Sequence, residues 1–156
     1  MTVRLLMKST AFALIFVTQV WAQNATTGSG NTEIISHYDF AGTISKISES
    51  LQKNNMKIFA RIDHQAAARS VGLDMPPTMV IVYGNPAAGT KFMLENPQLA
   101  LDLPLRVLIS ETRDGNAVQV SWHPAESVIK PYGMSENAAM ALSRAEKIIS
   151  DAISHQ

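Results

Sequence analysis

Asp63 and His64 stand side by side where an alternating apolar stretch ends. A carboxylate next to an imidazole suits a general base with its orienting group, or half of a metal site. Adjacent residues on a strand point to opposite faces, so such a pair forms only if the chain turns between them. A plainer reading makes Asp63 the cap of a short helix and His64 a packed or surface histidine. Arg61, Asn85, Asp102 and Arg106 complete a set of six candidates, and those four lie at ends of predicted elements. Brought together, they would line a polar pocket for a small anion or carboxylate, with arginine giving bidentate contacts. Alternatively Arg106 pairs with Asp102, or Arg61 with Asp63, and pins the ends of neighbouring elements.

Other motifs are weaker. Gly84-Asn85-Pro86-Ala87-Ala88-Gly89-Thr90 lacks the Gly-Lys-Ser/Thr ending of a phosphate-binding loop, and reads first as a tight turn with a helix cap. Ser127-Val128-Ile129-Lys130 has Ser-x-x-Lys spacing without the partner motifs of penicillin-interacting enzymes. Met56, Met75, Met79, Met93, His64 and His123 invite a copper reading. They are spread singly, which suits core packing better. No catalytic residue, metal site or cofactor is assigned.

The elements that would hold these residues begin after an export signal. Arg4 and Lys8 precede the apolar run Ala11–Val17, and Val20-Trp21-Ala22 offers a small residue at the cut and a permissive one two positions earlier. The run is short for a membrane span of about 20 residues. Residues 1–22 therefore read as a secretory signal peptide, 23–32 as a flexible leader, and 33–156 as one α+β domain. The chain has 13 basic and 13 acidic residues; removing Arg4 and Lys8 leaves 11 against 13, a charge of −2. That balance speaks against nucleic-acid binding and against a polybasic membrane surface. There is no cysteine, so disulfides and thiolate chemistry are excluded. A periplasmic or secreted protein is expected, with no stable membrane span after cleavage.

The predicted order is β-α-β-α-β-α-β-β-α. Ile34–Tyr38 reads as a short strand. Thr43–Asn54 reads as a helix with Ile44, Ile47 and Leu51 on one face. Met56, Ile58, Ala60 and Ile62 alternate as the core face of a strand. The apolar run Thr78–Tyr83 is expected at the centre of the sheet. Asn85-Pro86 and Asn96-Pro97 each start a helical segment. Arg113-Asp114-Gly115-Asn116 is a hairpin turn, and Ser135 caps a long last helix with a broad apolar stripe. A sheet with helices on one side is the natural packing.

The run Phe59-Ala60-Arg61-Ile62-Asp63-His64, then Pro76-Pro77-Thr78, then Gly84-Asn85-Pro86 with Gly89-Thr90, then Leu101-Asp102-Leu103-Pro104 resembles the family known as domain of unknown function 302. The likeness spans about Phe40 to Tyr132, with Met75 and Met79 where the family often has leucine. It implies a curved, mainly antiparallel sheet with helices packed on one face, similar to a half-unit of the TATA-binding protein, and a homodimer. It does not carry DNA binding with it. The expected role is non-enzymatic binding of a small ligand or an envelope partner protein. The alternative is a small enzyme with Asp63 or His64 as general base and an arginine stabilising an anionic intermediate.

Overall fold

The computed structural model describes residues 30–154. The expected signal peptide and most of the expected leader lie outside the described residues. The strands are β1 (Thr32–Ile35), β2 (Lys57–Asp63), β3 (Thr78–Gly84), β4 (Leu105–Glu111) and β5 (Val118–Trp122). The helices are α1 (Phe40–Lys53), α2 (His64–Ser70), α3 (Pro86–Glu95), α4 (Ala125–Ile129) and α5 (Glu136–Ser154), with 3-10 turns at Pro97–Leu101 and Lys130–Tyr132. All strand pairs are antiparallel, in the order β1-β5-β4-β3-β2. The fold is α+β with an open antiparallel sheet, as the sequence suggests.

Local chemistry sets the element ends. Asp39 accepts a hydrogen bond from the Gly42 amide at 2.7 Å and starts α1. Asp63 does the same for Ala66 at 2.8 Å, Asn85 for Ala88 at 3.1 Å, and Asn96 for Gln98 at 3.1 Å. Each occupies an amide that the first helical turn cannot satisfy itself. The β4–β5 turn closes on Asp114, which accepts from Thr112 and Asn116. Those hydrogen bonds hold its carboxyl down at about 2.

Register decides which side chains reach the core. Ile81 lies opposite Val107, and Val107 opposite Trp122; Met79, Ile109 and Val120 form the next row. These residues share one face, packed in a core with Ile47 and Leu51 of α1, Ala125 and Ile129 of α4, and Leu142, Ala145 and Ile149 of α5. Small residues at Ala138 and Ala145, both buried, let α5 approach closely. The Trp122 indole N–H has no acceptor among the described residues, a cost of roughly 1–3 kcal/mol. Burying about 150–250 Å² of ring returns roughly 4–6 kcal/mol at 25 cal/mol/Å², so the site stays occupied.

Two expectations are corrected. The central strand is β4, not β3. The apolar run in β3 reflects side chains on both faces: Val80 and Val82 point away from the core and align with Leu108 and Arg106. Second, β2 does not keep one core face. A bulge between Ile58 and Ala60 shifts its pairing with β3. Beyond it, Arg61 lies opposite the core residue Ile81, and Ile62 lies opposite Val80. An extra residue in a period-two pattern exchanges the faces, and β2 is an edge strand exposed along most of its length. Strand β1 also takes in Thr32, the last residue of the expected leader.

Ile81→Ala is expected to lower stability by about 2–5 kcal/mol, and Ile62→Ala, at a position 44% exposed, by less than about 1 kcal/mol. Urea unfolding of a chain beginning at Gln23, followed by Trp122 fluorescence, measures both. Equal losses would contradict the face assignment.

Candidate functional site

The six residues singled out from sequence fall at different places. Asp63 lies opposite Met79 at the start of β3, whereas Asn85 follows the end of that strand. Six residues of strand separate those positions by about 20 Å. Asp63 caps α2, and His64 is the exposed first residue of that helix. Arg61 donates from Nη2 to Ser48 Oγ on α1 at 3.0 Å. Neither proposed Arg–Asp pair forms; among the described residues the one salt bridge is Lys147–Asp151. Asn85, Asp102 and Arg106 do come to the same end of the sheet, where β3 ends and β4 begins.

Two cavities meet at that end. The smaller, about 10 Å³, is lined by Tyr83, Asp102, Arg106, His123 and Glu146. Each carboxylate there already has a task. Asp102 accepts from the Tyr132 hydroxyl, and Glu146, on α5, accepts from the Ala125 amide at 2.6 Å. Glu146 thereby caps α4, which has no side-chain cap of its own. Burial, then the Glu146 carboxylate, pushes the Tyr83 hydroxyl far above the ordinary tyrosine range. The hydrogen bond to Asp102 also raises Tyr132. Both tyrosines therefore stay neutral, and Tyr132 is a donor, to Asp102.

The larger cavity, about 240 Å³, lies on the other side of Leu105, which lines both. Its walls come from the β2 entry (Met56, Phe59), from α3 (Gly89, Met93), from the Leu103-Pro104 corner and from α5 (Ala141, Ala145). No charged side chain lines it, and its polar side chains are Asn85 and Thr90. Glycine keeps it open: a Cβ on Gly89 would meet only Leu103 Cδ1, at 4.0 Å. An apolar cavity of about 150 Å³ accepts benzene, so this one has room for a larger body. Sequence reasoning found Asn85 alone among its lining residues as a site candidate. Met56 and Met93, isolated in sequence, share the pocket. Among the described residues no cluster of His, Asp and Glu could hold a metal ion.

The Domain of unknown function DUF302 model matches residues 32–152, and the chain belongs to that family. Its fold is similar to the crystal structure of an uncharacterized conserved DUF302 protein from Bacillus stearothermophilus, with a TM-score of 0.69 over 81% of this chain and 97% of that one, at 14% identity. The sequence is also 38% identical over 87 residues to proteins named fluoride-specific ion channel FluC 1 of Brucella suis and FluC 2 of Brucella melitensis. That stretch is 56% of this chain and 34% and 32% of theirs, so the chain spans about a third of the curated relatives it matches. Among the described residues no helix is long and apolar enough to cross a membrane.

The raised Tyr83 gives a signed pH dependence. An unfolded tyrosine ionises from about pH 10, while folded Tyr83 keeps its proton. Above that pH the unfolded state binds fewer protons, so stability falls as pH rises. Denaturant unfolding between pH 8 and 11, rough limits set by tyrosine's pKa, is expected to show that fall, and a shallower one in Tyr83→Phe. Identical slopes would contradict the buried neutral hydroxyl.

Proposed function

We propose that this DUF302 member is an exported binding domain of the periplasm or extracellular space, without catalytic activity, whose larger cavity takes a small, mostly apolar ligand. The observation that carries the reading is a pocket of about 240 Å³ with no charged side chain in its walls. Such pockets, with a few polar groups to orient the guest, are the common form of small-molecule sites. The enzyme alternative loses support from geometry. Asp63 is committed to its helix cap, His64 is exposed, and Arg106 stands at the opposite end of the sheet.

A partner-protein role keeps one specific support. Relatives in Brucella that share part of this sequence carry the name of an ion channel, which favours a membrane channel as the envelope partner. A homodimer has a candidate surface in the aligned row Ile62, Val80 and Leu108 on the face away from the core. An antiparallel sheet that faces water normally shows polar residues there.

Native mass spectrometry of protein prepared from its own compartment tests the ligand and the dimer together. A retained small molecule is expected, and it should be lost in Gly89→Leu, whose side chain fills the cavity. Gly89→Ala should instead raise stability by about 0.5–1 kcal/mol, because alanine suits a helix interior better than glycine. Retention unchanged by Gly89→Leu would remove the pocket from the account. Leu108→Glu is expected to convert dimer to monomer in the same spectra.

A further inference from the structure

We infer that the ligand of the larger cavity is a small monocarboxylate with a compact aromatic or branched apolar body; this rests on the binding role proposed above. The polar groups beside one side of the cavity offer donors and carry no negative charge. Lys57 lies opposite Gly84 in the β2–β3 register, one residue before Asn85. Its Nζ stands 5.1 Å from the centroid of the Phe59 ring, and Phe59 lines the cavity. Lys57 forms no ion pair among the described residues. Asn85 uses Oδ1 to accept from Ala88, while Nδ2 makes one long contact of 3.5 Å to the Asn55 carbonyl. An amide nitrogen carries two donor hydrogens, so one remains for a guest. Thr90 adds a hydroxyl.

No Asp or Glu lines this cavity to compete for Lys57. Asp102 is on the far side of Leu105 and already accepts from Tyr132. An ammonium and an amide N–H beside apolar walls match one carboxylate, since a hydrogen bond from a charged donor is roughly twice as strong as a neutral one. A cation would find no counter-charge, and a dianion would carry more charge than one lysine offsets. The body must be neutral and compact, of roughly 8–12 non-hydrogen atoms for a cavity somewhat larger than a benzene site.

Calorimetric titration with 3-phenylpropanoate and with its neutral amide tests this. The carboxylate should bind about tenfold tighter than the amide, the scale of one charge-assisted contact. Lys57→Gln should erase that preference, and Lys57→Arg should keep it. Gly89→Leu should abolish binding of both probes. If carboxylate and amide bind equally and Gly89→Leu blocks both, the carboxylate inference is overturned and the pocket reading stands. If neither probe binds, or Gly89→Leu changes nothing, both are overturned.

Discussion

Ile81, Val107 and Trp122 form a row across three neighbouring strands, and Ile81 and Val107 have no solvent exposure at all. Burying that row beneath α1, α4 and α5 fixes the register of the sheet. A slip of one residue would exchange its two faces, placing Val80, Val82 and Leu108 under the helices and Ile81, Val107 and Ile109 in water. The other features of the domain depend on keeping that face inside. Helix α5 lies close because Ala138 and Ala145 are small. The residue after Ala145, Glu146, then reaches the first amide of α4.

The same packing creates the site. Where β3 ends and β4 begins, α5 forms one wall of the cavity, and α3 and the Leu103-Pro104 corner form others. The walls are apolar because they extend the core. The polar groups at the rim come from segment ends, where side chains already serve as caps. Asn85 is the clearest case: one atom of its amide starts α3, and the other faces the approach to the pocket from Asn55. Structural and binding roles share the residue, so Asn85→Ala would confuse the two. Lys57 and Gly89 are better probes.

Much of this is legible in the sequence wherever cause and effect lie within a few residues. Asp63, Asn85 and Asn96 cap the helical segments that begin beside them, and the hairpin at Asp114-Gly115 needs only its own turn chemistry. The start of α1 is harder to read, because Gly42 in its first turn weakens the helical pattern that Asp39 begins. The bulge at Phe59 is not legible: local alternation is intact through Ile62, and only pairing with β3 reveals the extra residue. Strand order is likewise a long-range property, so apolarity alone points to β3 as the central strand when β4 holds that place. The pocket is hidden for the same reason. Met56, Phe59, Gly89 and Ala145 are far apart in the chain, and none is a residue type that suggests chemistry. The charged motifs that do suggest it are mainly devices for ending helices and strands.

The central claim is that function resides at the Asn85 end of the sheet rather than at the Asp63–His64 end. Methionine methyl groups report on both. Met56 and Met93 line the cavity, while the Met75 carbonyl accepts from Gln65 of α2, beside His64. Methyl NMR of the protein titrated with a small aromatic carboxylate reads them together. The account predicts that the Met56 and Met93 signals shift along one saturating curve while Met75 stays still. A saturating shift at Met75 with Met56 and Met93 unmoved would contradict it and return the search to Asp63 and His64.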